Sequence, residues 1–138
     1  MKPLPALVLV LWGHYSDELV AATSIVKLRQ AGVRVKLVGL ERRKLRGANG
    51  LALLPDLTLG DALPLVQQVR AVIFTMTLAV LLHYLDDPRL VTLLQIACDQ
   101  GAALILAQAE EEAVVAQLAQ FLQRDVASCL QTEFDIPM

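Results

Sequence analysis

The stretch "ALVLVLWGHYSDELVAATSIVKLRQAGVRVKLVGL", Ala6 to Leu40, decides how the rest of the chain is read. Its ends, Ala6–Trp12 and Val33–Leu40, are short runs rich in valine and leucine. Between them, from Ser16 to Ala31, Ala21, Ile25 and Leu28 recur at helical spacing with Leu19, Ala22 and Val26 alongside. Gly32 supplies the stop, because glycine accepts the left-handed turn with which helices commonly end. The pattern is strand, helix, strand, and the first strand has the unbroken apolar run of a central parallel strand.

Working outward, "ERRKLRG" (Glu41–Gly47) is a basic loop. "GLALLPDLTLGDAL" then holds two short apolar pieces punctuated by Pro55-Asp56 and Gly60-Asp61, which predicts a small hairpin or surface excursion over residues 47–60. Alternation resumes with a third strand at Ala71–Met76, a helix over Asp87–Gly101 with proline in its first turn, and a fourth strand at Ala102–Ala107. A helix over Glu110–Gln123 and a further short strand at Val126–Leu130 follow. No repeat, linker or low-complexity tract divides the chain, so residues 1–138 are expected to form one domain. Strands alternating with helices predict an open parallel sheet covered on both faces.

Composition supports a large core: 56% of residues are hydrophobic and 19% charged. The longest uncharged run, Ala71 to Leu85, is too short for a membrane-spanning helix, which needs about 20 apolar residues. The opening "MKPLPALVLVLWGHY" has the lysine and apolar run of a signal peptide, but early prolines and the lack of a small-residue cleavage site favour a first strand. Cys98 and Cys129 have no short-spaced partner, so neither a disulfide framework nor a zinc site is indicated, and a cytoplasmic location is expected. Residues 1–50 carry nine basic and three acidic side chains, 51–100 two and five, and 101–138 one and six. That dipolar distribution suits a protein partner or self-association. A single basic run without interleaved aromatics does not suit nucleic acid.

In open α/β sheets ligands bind beyond the carboxyl ends of the strands, where the strand order reverses. The residues placed there are Trp12 to Tyr15 after the first strand, Met76 and Thr77 after the third, and Ala107 to Glu110 after the fourth. His14 could act as an acid, a base or a ligand near neutral pH, or be a hydrogen-bonded loop histidine. His83 reads as a helix-surface residue. Asp17 and Glu18 fit a helix's first turn, where carboxylates favour the positive end of the dipole. No glycine-rich phosphate loop, metal-ligand spacing or cofactor motif is present. The segment Gly101–Leu118 reads as a buried strand that turns sharply into a helix, with Ala107, Gln108 and Ala109 at the bend and three glutamates after it.

Taken together, Ala6–Leu40, "LLPDLTLGDAL", "AVIFTM" and "LDDPRLVTLLQIACDQGAALILA" resemble the ThiJ/PfpI family of the flavodoxin-like, class I glutamine amidotransferase-like superfamily. The resemblance implies a three-layer α/β/α flavodoxin-like sandwich with a mostly parallel sheet and strand order 2-1-3-4. It covers nearly the whole chain, with an end shorter than the family's. Members include peptidases, glyoxalase- or deglycase-like enzymes and redox-responsive chaperones. Their site has a cysteine on the elbow after the fourth strand, a glutamate on the first helix, a Gly-Gly pair after the third strand and often a downstream histidine. Carried over by position, these places hold Ala107, Val20, Thr75-Met76-Thr77 and the neighbourhood of Cys129.

The resemblance therefore implies a catalytically silent domain that acts through protein contacts, as a homo-oligomer, a subunit or an assembly factor. The alternative is a small-molecule or metal site, or an enzyme with replaced chemistry, in which His14, Tyr15, Thr77, Gln108 and Glu110 converge. Glu110 to Glu112 are expected to occupy the N-terminus of the helix behind the elbow, where they would compete with a second anion for its free N–H groups.

Overall fold

A computed structural model describes residues 6–132, and within them six strands form one sheet in which every neighbouring pair is parallel. The strands are β1 (Leu7–Trp12), β2 (Arg34–Gly39), β3 (Leu57–Thr58), β4 (Val69–Phe74), β5 (Ala103–Ile105) and β6 (Leu130–Gln131). Their order is β3-β2-β1-β4-β5-β6. The four strands expected from the apolar runs occupy the middle in the expected order, and two-residue strands extend both edges.

Five α-helices accompany the sheet: α1 (Glu18–Gln30), α2 (Leu59–Ala62), α3 (Leu78–Leu82), α4 (Pro88–Asp99) and α5 (Glu112–Leu122). Crossovers between parallel strands are right-handed, so the direction in which the chain steps along the sheet sets the face its helix covers. The step from β1 to β2 runs one way and carries α1; the steps from β4 to β5 and on to β6 run the other way and carry α3, α4 and α5. Accordingly Val8, Val10 and Trp12 pack with Ala21 and Leu28 of α1, while Leu7, Leu9 and Leu11 pack with Leu90, Leu94 and Leu118 of α4 and α5. β1 is buried on both faces, which is why its sequence shows no polar alternation.

Local chemistry sets the boundaries. Asp17 caps α1 by accepting the Leu19 and Val20 N–H groups at 2.9 and 3.1 Å, and Gly32 ends it with φ +79°. Asp87 caps α4, with Pro88 in its first turn. Several expected limits move. The third strand begins two residues earlier, at Val69, and ends at Phe74; Thr75 and Met76 lie beyond it. In the excursion, Arg46 and Ala52 form one antiparallel bridge around Gly50, but Leu57–Thr58 joins the sheet in parallel. Gly60-Asp61 is no turn: Thr58 and Asp61 exchange reciprocal hydrogen bonds that start α2. The last strand is Leu130–Gln131 rather than Val126–Leu130, because residues 127–129 form a turn.

Candidate functional site

The strand order reverses between β1 and β4, so the loops after these strands meet where a ligand crevice is expected. Here they are tied together. The Thr75 hydroxyl donates to the Leu11 carbonyl at 2.5 Å, and the Asp17 N–H donates to the Thr75 carbonyl at 2.6 Å. Gly13 donates its N–H to the Ser16 hydroxyl at 2.8 Å, which tightens a turn containing Tyr15 at φ +59°. Ser16 and Thr75 are buried, as are Trp12 and Met76. The place at which the resemblance implies two glycines is therefore filled by a buried threonine whose hydroxyl is already committed.

Glu18 is buried too, and not as an ordinary first-turn carboxylate. Its oxygens accept the Asn49 N–H at 2.9 and 3.0 Å, the Asn49 side-chain amide at 3.1 Å and the Leu51 N–H at 2.9 Å. Burial alone would raise its pKa, but the N–H groups that it gathers outweigh this and bring it down to about 2. A Cβ on Gly47 would collide with the Glu18 carboxyl carbon and lie 2.6 Å from the Ser16 carbonyl, so glycine is what lets the 47–51 loop close over the carboxylate. Glu18 thus faces the 47–51 loop, and it is absent from the lining of the cavity that holds Ala107.

Val20 and Ala107 do come together. They line one cavity of about 240 Å³ between α1 and the ends of β4 and β5, with Ser24, Lys27, Ile73 and Thr132. Neither Val20 nor Ala107 carries an acid or a nucleophile, so this cavity has apolar atoms where an elbow nucleophile and its carboxylate partner would face each other.

The glutamates after the elbow divide their roles, which corrects the expectation that all three sit on the helix behind it. α5 begins at Glu112, and its N-cap, Glu111, makes no side-chain capping bond. Glu110 reaches across to accept the Leu78 N–H of α3 at 3.0 Å. Thr77, the N-cap of α3, accepts the Val80 N–H, and Gln108 is exposed on the elbow. Thr77 and Glu110 thus meet at the start of α3.

His14 and Tyr15 lie elsewhere. Their rings are 3.9 Å apart and border a cavity of about 410 Å³ shared with Glu41, Arg43, His83 and Tyr84. The Tyr84 hydroxyl accepts the His14 N–H at 2.6 Å and donates to Glu41 at 2.7 Å. Burial and the Glu41 carboxylate push the Tyr84 phenol up to about 12. The five candidate residues therefore separate into His14 with Tyr15, Thr77 with Glu110, and Gln108, and the cavity that holds the first pair includes none of the other three. Sequence reasoning missed Glu41 and Tyr84. The signals were an acid two residues past the end of β2 and a glycine, Gly13, over which the tyrosine ring packs closely. Among the described residues no three His, Cys, Asp or Glu side chains are grouped as metal ligands.

The fold is similar to that of a set of solved structures. Oxidised DJ-1 of Toxoplasma gondii superposes with a TM-score of 0.66 at 23% identity over 86% of this chain and 63% of its own. DJ-1beta of Drosophila melanogaster gives 0.68 at 18% identity over 84% and 61%. The fold is that of the DJ-1/ThiJ/PfpI superfamily. A two-domain protein of Anabaena variabilis, with DJ-1/ThiJ/PfpI-like and ferritin-like domains, has the same fold, with a TM-score of 0.60 at 23% identity over 73% of this chain and 29% of its own. The chain thus spans less than two thirds of the Toxoplasma and Drosophila proteins. No family model matches the sequence, and no curated protein matches it. No helix among the described residues is long and apolar enough to cross a membrane.

Proposed function

We propose that this chain is a catalytically silent domain of the DJ-1/ThiJ/PfpI fold that acts through protein contacts, and that its first partner is a second copy of itself. The outer face of α1 carries this reading. Leu19 is 73% exposed and Val26 52% exposed, Ala22 lies exposed between them, and Tyr15, 63% exposed, stands just before the helix. Leu19, Ala22 and Val26 share one stripe at helical spacing, with Tyr15 in the turn before it, on a helix whose opposite side already packs on the sheet. Single exposed apolar residues are ordinary on any surface, but an aligned row on one helix is a contact surface. Asp17 stands at one end of the row and Lys27 near the other, so two copies packed antiparallel place unlike charges opposite each other.

Catalytic silence rests on the cavity between Val20 and Ala107 and on the committed hydroxyl of Thr75. The proposed role requires no cofactor or nucleic acid, and its two free thiols suit a reducing cytoplasm. Sedimentation or light scattering of the purified chain should give a dimer at micromolar concentration, and Leu19→Lys with Val26→Glu should weaken it about 100-fold. A wild-type chain that stays monomeric would overturn self-association. Glyoxalase, deglycase or peptidase turnover abolished by a substitution in the Val20–Ala107 cavity would overturn silence.

A second reading has its own observation. Tyr84 orders Glu41 and the His14 backbone around a cavity with two histidines and an arginine at its border, an arrangement suited to a small polar ligand. A ligand-dependent rise in melting temperature that disappears in His14→Ala would favour it.

A further inference from the structure

Trp12 ends β1, and its indole N–H is the one buried side-chain polar group among the described residues that has no hydrogen-bond partner. Buried donors are nearly always paired, so an exception needs a cause. Here the donor belongs to the most buried residue that borders a cavity of about 440 Å³, formed with the chain between Glu41 and Pro55. The surroundings are held in place. Trp12 pairs with Gly39 of β2, and its carbonyl accepts the Leu40 N–H at 2.9 Å. Farther along the loop Arg46 bridges to Ala52, and Glu18 gathers the Asn49 and Leu51 N–H groups.

The lining divides in two. Leu45, Leu53 and Pro55 bring apolar side chains to the cavity, whereas Arg42, Arg43 and Lys44 are exposed at its mouth. Glu41 takes Arg43 at 3.2 Å, but no carboxylate among the described residues pairs with Arg42 or Lys44. Ligand sites have this composition: mostly apolar, with a few placed polar groups that fix the ligand's orientation. We infer that the Trp12 cavity binds an apolar organic acid, whose carboxylate is held at the mouth by Arg42 and Lys44 and whose body carries a neutral carbonyl oxygen that accepts the indole N–H. The cations supply charge-assisted hydrogen bonds to the acid, and the carbonyl gives a donor closed off from water its first partner. Leu53 packs against the core cluster that includes Trp12, and its neighbour Leu54 is 92% exposed. Surface side chains of this kind change rotamer readily and can turn aside to admit a ligand.

This cavity is separate from the one bordered by His14. Glu41 and Arg43 reach both, but Tyr84 borders only the His14 cavity and Trp12 only this one. Nor does it include Val20 or Ala107, so the inference stands apart from catalytic silence.

The chain has a single tryptophan, so its fluorescence reports on this cavity directly. Adding 4-oxononanoate to the purified chain should change the Trp12 emission saturably, with half-saturation below about 1 mM. Nonanoate, which keeps the acid and loses the ketone, should bind at least about fivefold more weakly, because the indole N–H stays unpaired. The ketone without the acid, 2-nonanone, should give no saturable change at the same concentrations. Arg42→Ala combined with Lys44→Ala, both exposed positions, should raise the half-saturation for 4-oxononanoate about tenfold or more. In Trp12→Phe, followed by calorimetry, the two acids should bind equally. No saturable change with 4-oxononanoate, an equal response to 2-nonanone, or an affinity untouched by the Arg42 and Lys44 substitutions would each overturn the inference. So would a preference for the ketone that survives in Trp12→Phe; should that variant not fold, the paired substitutions at the mouth still decide. None of the lining residues lies on α1, so loss of this binding and loss of the α1 contact are separate results.

Discussion

Glu18 and Glu110 both stand at the junction between a strand's end and the helix that follows, and they end up in opposite circumstances. Glu18 belongs to the first turn of α1, yet Asp17 caps that helix and the Glu18 carboxylate is buried among N–H groups of the 47–51 loop. Glu110 precedes α5, yet it serves a single N–H of α3 and remains half-exposed. Each carboxylate thus holds a neighbouring loop or helix rather than its own. What distinguishes them is how many donors converge on each and how much water is excluded. A carboxylate beside a strand end at the reversal of strand order is therefore not evidence of chemistry until its donors are counted.

The largest effect is expected at Glu18. Glu18→Ala strands the Asn49 and Leu51 N–H groups under a closed loop, and leaving buried donors unpaired costs far more than losing an exposed bond. The melting temperature should fall by about 5–10 °C in a thermal scan. Its pH dependence provides a second check. The folded pKa, about 2, lies below the ordinary 4.5, so the contribution of Glu18 is fully present above pH 4.5 and is lost as the pH falls from there toward 2. Denaturant unfolding of wild type and Glu18→Gln should show a gap that narrows over that interval. A gap that stays constant would mean that the carboxylate's charge is not what closes the loop.

The intermediate effect belongs to Glu110. Glu110→Gln keeps an acceptor for the Leu78 N–H but removes the charge near the start of α3, and a loss of about 0.5–1 kcal/mol is expected at this half-exposed site. A loss as large as that of Glu18→Ala would erase the distinction drawn between the two residues.

The central sheet was legible in the sequence because its signal is local and redundant. β1 is apolar at every position, Gly32 stops α1, and Asp87-Pro88 starts α4. The short edge strands were not legible, since Leu57–Thr58 and Leu130–Gln131 have no pattern of their own and exist by pairing with longer neighbours. For the site, the resemblance put Val20 and Ala107 at the places of an acid and a nucleophile, and the two residues line one cavity. It could not show that Glu110 would prefer the donor of a different helix, or that Tyr84 would reach over Gly13 to Glu41. Both are long-range side-chain contacts, one between residues 110 and 78 and the other between residues 84 and 41, and no periodicity encodes them.

The smallest expected effect is also the sharpest test of silence. Glu110 turns toward α3 and Glu111 makes no side-chain cap at the start of α5, so the three glutamates do not act together on the elbow, where Ala107 is exposed. The elbow is thus less hostile to an anion than three consecutive glutamates suggest. The cavity nevertheless offers Val20 where a carboxylate would take or return a proton, and Thr75 spends its hydroxyl on Leu11 at the place where a close backbone approach would stabilise an oxyanion. Ala107→Cys should therefore show glyoxalase, deglycase and peptidase turnover within about twofold of wild type, while its thiol becomes readily alkylated. Adding Val20→Glu supplies the missing acid without altering the Thr75 bond. If the double variant turns over where the single one does not, the absent carboxylate is the limiting defect; if both stay at background, the Thr75–Leu11 tie at the reversal of strand order is sufficient to keep the domain silent.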